Sequence, residues 1–147
     1  MKSKTEWPLV IEVPLEVVSG NKFLRGSDFR RLGAYKSLRE QWCWGITIKL
    51  GAPKLHRLQK WVRENRPKMR VQFTCYRRRR IEPDNLMEGL KPVRDCLVMP
   101  KRSHPSGLGL IVDDSEKWMV RDTPKQELVG KGMRGFTVIS LEPVEVV

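Results

Sequence analysis

The sequence lacks both a pairing of cysteines and a long apolar run, and each absence narrows what the chain can be. Its three cysteines, Cys43, Cys75 and Cys96, are odd in number and far apart, with no CxxC pair and only His56 and His104 as nitrogen co-ligands. Neither a disulfide framework nor a structural zinc site is expected, and the three read as reduced thiols behaving as small buried hydrophobes. The apolar stretch at 9–18 is short and carries Glu12, Pro14 and Glu16, so it reads neither as a signal peptide nor as a membrane span. The amino-terminal MKSKTEW offers no basic amphipathic helix and no lipidation signal, which makes a cytosolic setting the expectation. No low-complexity tract or internal repeat interrupts the chain, and 147 residues suit a single domain over 1–147.

What the sequence has in excess is positive charge. Its 29 Lys and Arg against 17 Asp and Glu give a net charge of +12, a field that favours polyanionic partners, nucleic acid first among them. Hydrophobic residues at 39% and charged residues at 31% are the composition of an ordinary globule rather than a disordered chain.

Along the chain, the β-branched run LVIEVPLEVV within 7–18 predicts a strand, with Pro14 suiting a sheet edge. The basic stretch 25–49 carries Leu38, Trp42 and Ile46 at helical spacing and predicts a long helix whose weak point is Gly45. Ala52-Pro53 opens a second helix through Leu55, Leu58, Trp61 and Val62, ending near Pro67. At 69–76 Met69, Val71, Phe73 and Cys75 alternate with Arg70, Gln72, Thr74 and Tyr76, the period-2 pattern of a half-buried strand. That strand runs into Arg77-Arg78-Arg79-Arg80 and Ile81-Glu82-Pro83-Asp84, and then into a helical pattern over 85–98. A loop at 101–109 leads through 110–112 to Asp113-Asp114, and two late strands, near 117–121 and 136–141, bracket a polar turn region.

The chemistry gathers where the strand at 69–76 gives way to the helix, since active sites sit commonly on such connections. In an extended segment Glu82 and Asp84 point to one side, about 6 to 7 Å apart at their origins, and Pro83 stiffens the step between them. Hard oxygen donors of this kind suit Mg²⁺ or Mn²⁺, and Asp113-Asp114 supplies a third carboxylate if the fold brings that segment alongside. Bland readings stand beside this one. Asp84 or Asn85 equally suits a helix N-cap, with Glu88 closing a capping box from Asn85, Asp113-Asp114 suits a turn, and the arginine run suits a solvated face. The metal reading rests on coincidence: four arginines adjoin an acidic pair in a strongly basic chain, a mixture that can hold phosphates and cleave one. Among the tryptophans, Trp42, Trp44, Trp61 and Trp118 read as core residues without a binding role, and both histidines read as solvent-exposed.

The string RRRRIEPDNLMEGLKPVRDCLV, followed by GLGLIVDDSEKWM, resembles the signature of RusA-type Holliday-junction resolvases, phage and prophage members included. The likeness covers about residues 77–119: a basic run, a D-x-D-N-L step opening a helix, a lysine four residues before an aspartate, and paired aspartates. Elsewhere it is loose, resting on length, element order and the segment GNKFLRG. The resemblance implies an α+β fold, a single compact domain with a mixed sheet and two to four helices. It also implies a homodimer that binds branched DNA at four-way junctions and nicks two opposing strands with Mg²⁺, with Mn²⁺ as a substitute. Glu82, Asp84 and Asp114 match the three catalytic, metal-binding acids, Asp113 is the alternative to Asp114, and Lys91 matches the basic catalytic residue.

Two departures are visible. Glu stands at 82 where Asp is usual, and Lys91 follows Asp84 by seven residues, three more than in the best-known form. Three helical residues rotate a side chain by about 300°, and Pro92 biases Lys91 away from α geometry, so a break at 89–92 is expected if Lys91 is to be aimed at the acids. Arg77, Arg78, Arg79 and Arg80, with Arg30, Arg31 and Lys36, are expected to grip the DNA backbone. A flap or duplex nuclease, and a non-catalytic basic DNA-binding protein, remain the other readings of the same residues.

Overall fold

The computed structural model describes residues 7–20, 28–102 and 105–144, with the backbone alone at 28–32. Three helices pack on a mixed five-stranded sheet in an α+β fold, as the sequence predicts. In chain order the elements are β1 (Leu9–Val13), α1 (Asp28–Leu50), α2 (Ala52–Asn65), β2 (Met69–Arg77), α3 (Pro83–Leu97), β3 (Met119–Arg121), β4 (Lys125–Leu128) and β5 (Phe136–Pro143). Among the described residues no helix is long and apolar enough to cross a membrane.

β5 lies between β1 and β2 and runs antiparallel to both, with Ile11 opposite Ile139 and Phe73 opposite the same residue from the other side. β2 pairs in parallel with β3 through Met69–Met119 and with β4 through Thr74–Lys125. Parallel neighbours need a crossover, and α3 with the loop that follows supplies it. β3 and β4 are one edge strand broken at Asp122–Pro124: Asp122 N–H still bonds the Val71 carbonyl at 3.1 Å, and Pro124 has no N–H to continue the ladder. The sequence reading missed β4, because KQEL is an almost wholly exposed polar edge without an apolar period.

Alternation decides which face of the sheet is covered. Leu9, Ile11 and Val13, then Met69, Val71, Phe73 and Cys75, then Ile139 and Leu141 are all buried in one core with Trp42 and Ile46 of α1, Leu55 and Leu58 of α2, and Leu86, Leu90, Val93 and Leu97 of α3. The predicted weak point, Gly45, lies inside an unbroken α1. A Cβ there would stand 2.9 Å from Val13 Cγ1, so the missing side chain lets helix and strand approach closely.

The tightest contact involves α3. A Cβ on Gly89 would collide with the Val18 carbonyl oxygen and lie 2.9 Å from Val17 Cγ1. Alanine at an open helical position is favoured over glycine by about 1 kcal/mol. Here Gly89→Ala is expected to reverse that sign and destabilise the fold by about 1–3 kcal/mol through overpacking, read from the midpoint shift in urea unfolding.

α3 also runs without interruption through Pro92, which is buried. The break expected at 89–92 is therefore not found. Pro92 withholds only the N–H that would have met the Glu88 carbonyl, and packing of Leu90, Val93 and Leu97 into the core carries the helix across that gap.

Candidate functional site

At the carboxyl end of β2 the inward alternation Met69, Val71, Phe73, Cys75 continues one step further, to Arg77. Arg77 is 8% exposed, and its guanidinium donates to the carbonyls of Val17 at 3.1 Å and Arg79 at 2.5 Å. It thus ties the strand end to the segment after β1 instead of facing solvent with the rest of the basic run. Arg78 is exposed. Its backbone N–H is held by Glu16 at 2.9 Å, and its guanidinium donates to the Met133 carbonyl at 3.1 Å. Arg79 and Arg80 are exposed, and their side chains carry no hydrogen bond or ion pair among the described residues, which leaves their charge to the solvent face. Of the other predicted grips, Lys36 is exposed on α1, whereas the side chains of Arg30 and Arg31 lie outside the described residues, as does most of GNKFLRG.

The chain then turns into α3 through a backbone held on both sides by one side chain. Gln126 of β4 accepts the Ile81 N–H at 3.0 Å and donates to the Ile81 carbonyl at 2.9 Å. Sequence reasoning passed over Gln126, and only the pairing of β4 with β2 places it there. Glu82 follows in extended geometry (φ −61°, ψ 144°) as the residue preceding the helix, and its carbonyl accepts the Leu86 N–H at 3.0 Å. Pro83 fills the first helical position and Asp84 the first turn, so the strand-like repeat expected of the Glu82–Asp84 step holds for Glu82 only. No side chain caps this helix, and the N-cap reading of Asp84 and Asn85 is thereby set aside. The carboxylates of Glu82 and Asp84 are exposed and make no hydrogen bond or ion pair among the described residues.

Because α3 is continuous, position 91 lies seven residues and about 700° from position 84, within about 20° of two full turns and about 10 Å along the axis. Asp84, Glu88 and Lys91 therefore form one exposed stripe, and Lys91 is on the acids' face of the helix without any break.

The third acid comes from the other end of the crossover. A loop closed by Met99 N–H on the Ile111 carbonyl (3.0 Å) and Gly109 N–H on the Val98 carbonyl (3.0 Å) returns the chain to the end of α3 two residues before the 113–114 turn. Within that turn the two aspartates are not equivalent. One oxygen of Asp113 accepts both the Lys101 ammonium at 2.5 Å and the Asp114 N–H at 2.9 Å. The Lys101 contact, aided by Asp114, holds the Asp113 carboxyl below its usual range and raises the Lys101 ammonium in turn. Asp114 is fixed through its backbone, with Arg121 donating to its carbonyl at 2.6 Å, and among the described residues no cation stands within ion-pair distance of its carboxylate.

Arg94 is half-buried on α3. Its side chain reaches back to the Met87 carbonyl at 3.4 Å, level with Glu88 and one turn beyond Asp84. Burial first, and the charge of Arg121 second, weaken its hold on its proton, with Asp114 and Glu88 opposing them. Asp114 thus acts with Glu88 in offsetting the burial of that guanidinium. Among the described residues no three His, Cys, Asp or Glu side chains gather into a cation site, so Glu82, Asp84 and Asp114 do not form a closed cluster.

Other residues keep to the fold. Burial pushes the Cys75 thiol up to about 12 and the Cys96 thiol well above its ordinary value, and all three cysteines are buried. Trp42 is buried as expected, but Trp44 is 68% exposed, on the outer face of α1 with Ile48. Arg66 and Lys117 lie 5.3 and 5.1 Å from the Trp118 ring. His56 is exposed, and His104 lies outside the described residues. Compared with protein-family models and with curated proteins, the chain matches none at a significant level.

Proposed function

We propose that this protein is a Mg²⁺-dependent endonuclease that cuts branched DNA, four-way junctions foremost, as a homodimer that nicks two symmetric strands. The observation that carries the proposal is the pair of unpartnered carboxylates, Glu82 and Asp84, standing in solvent directly after exposed arginines. Three acids committed to capping or ion pairs would have argued for structure alone. The likeness of 77–119 to RusA-type resolvases adds the junction and the dimer to the reading.

The donor set fits Mg²⁺ in kind: hard carboxylate oxygens, exposed at Glu82 and Asp84 by one helix start and half-buried at Asp114 in a backbone-clamped turn. Mg²⁺ is commonly held by one or two carboxylates together with substrate phosphate and water, so Glu82 and Asp84 suffice to begin the site and Asp114 would complete it against bound DNA. When bound, the cation polarises the phosphate and lowers the pKa of an attacking water. The protein's own part is to place these groups. Gln126 fixes the backbone that aims Glu82, Lys101 and Asp113 fix the turn that aims Asp114, and Arg79 and Arg80 hold neighbouring phosphates. Lys91, on the acids' face, would offset charge growing on the phosphate.

A substrate panel tests this. In Mg²⁺ the full-length protein is expected to nick a four-way junction in two strands at least about tenfold faster than a flap or linear duplex of the same sequence, with both activities lost in EDTA. Equal rates on all three would leave a general nuclease. Binding without cleavage in Mg²⁺ or Mn²⁺ would leave a DNA-binding protein.

A further inference from the structure

The two edges of the sheet are unlike. On the side of β3 and β4 the edge is short, broken at Asp122–Pro124, and carries Lys125 in a polar run. These are devices that keep an edge strand from pairing with another chain. On the other side β1 ends the sheet, and among the described residues no strand pairs with its outer side. Its five residues, LVIEV, include no lysine, and Pro8 and Pro14 bound the strand without entering it. Leu9, Ile11 and Val13 are buried on the helical side, while Val10, on the opposite face, is 61% exposed.

Charge decides what can approach that edge. All 29 Lys and Arg lie outside residues 5–21 and 135–147, the two stretches that contain β1 and its neighbour β5. Two copies of a chain with a net charge of +12 repel each other wherever cations meet, and this flank of the sheet has none to bring. Its own charges, Glu12 and Glu142, disfavour a nucleic acid there. We infer that β1 pairs antiparallel with the β1 of a second copy across a twofold axis, joining the two sheets into one.

The register follows from the side chains. A slip of one residue would turn the Leu9, Ile11 and Val13 row of one copy to the solvent face of the other. The axis therefore falls at a residue, Val10, Ile11 or Glu12, and not between two. At Glu12 it sets two carboxylates opposite each other, and at Ile11 it sets Val10 against the second copy's Glu12. At Val10 it sets the exposed valine against its own copy and Leu9 against Ile11, which avoids both. Such an axis is perpendicular to the sheet, so the helices of both copies fall on one side. The two β2 strands then stand five strand spacings apart, about 24 Å, each carrying its arginine run toward an opposite end. That the two copies offer paired sites to one DNA rests on the nuclease reading, whereas the edge pairing holds for a protein that cuts nothing.

The test uses the full chain without DNA, by sedimentation equilibrium and by cross-linking with a short bis-maleimide, from which the three native cysteines are buried. Wild type is expected to sediment as a dimer. Val10→Lys, which sets two ammonium groups opposite each other at an exposed position, should weaken dimerisation by about tenfold or more. Leu128→Lys, on the other edge and 59% exposed, should match wild type. Val10→Cys should be captured as a covalent dimer, and Trp44→Cys, 68% exposed on α1, should not. A wild type that sediments as a monomer overturns the edge pairing and the paired nicking together. A dimer captured through Trp44→Cys and not through Val10→Cys, or one indifferent to Val10→Lys, overturns the edge pairing alone. A dimer captured at position 10 in a protein that cuts no DNA overturns the nuclease reading alone.

Discussion

Asp84→Asn is expected to lower Mg²⁺-dependent nicking of a four-way junction by about 10³-fold or more, while junction binding stays as tight or tightens. The change is isosteric and solvent-exposed, so packing is untouched and stability should stay within about 0.5 kcal/mol of wild type. It removes one of two unpartnered carboxylates at the start of α3, the donor whose loss most weakens a hard-cation site. A thousandfold loss corresponds to about 4 kcal/mol of transition-state stabilisation at 1.36 kcal/mol per decade. Binding moves the other way, since the substitution deletes a negative charge that faces a polyanion. Single-turnover nicking and gel-shift titration on the same preparation separate the two effects. Nicking that survives within tenfold would remove Asp84 from the chemistry, and a parallel loss of binding would recast it as a structural residue.

The second large effect concerns the arginine run, which divides between fold and surface. Arg77→Met is expected to destabilise the protein by about 2–4 kcal/mol, because two charge-assisted bonds are lost and the carbonyls of Val17 and Arg79 lose their donor at a buried strand end. Arg79→Gln and Arg80→Gln should leave the unfolding midpoint unchanged, yet each should weaken DNA binding and reduce the slope of log K against log salt by about 1. Urea unfolding and salt-dependent binding across the three variants provide the check. Equal stability for all three would mean that the Arg77 bonds contribute nothing net. An unchanged salt slope at 79 and 80 would place the DNA elsewhere.

Much of the architecture was legible because its elements have strong periods. The 69–76 alternation, the Leu38–Trp42–Ile46 spacing and the Ala52-Pro53 start each predicted an element that is present, whereas the mixed sheet was what the resemblance implied. Arg77 shows where the same signal was under-read. The alternation that buried Cys75 pointed inward again two residues later, but four consecutive arginines look like surface. β4 escaped for the opposite reason, since an exposed polar edge strand is held by backbone pairing alone.

At the site, residue types and chain order were readable, whereas the division of labour was not. Nothing in Asp113-Asp114 says which carboxylate Lys101 will occupy, because that depends on how the intervening loop closes on Val98 and Ile111.

The proline embedded in α3 has a mechanical corollary. One rung of the helical ladder is missing between Glu88 and position 92, so the first turns, bearing Asp84 and Glu88, are fastened to the rest by fewer backbone bonds than a regular helix would have. Beyond the gap, Val93, Asp95, Cys96 and Leu97, four of the last five helical residues, are buried, while before it only Leu86, Gly89 and Leu90 of the first nine are. Local opening will therefore start at the acid-bearing end and stop at the gap, letting that segment adjust to an incoming backbone by small amounts while the sheet beneath keeps its shape.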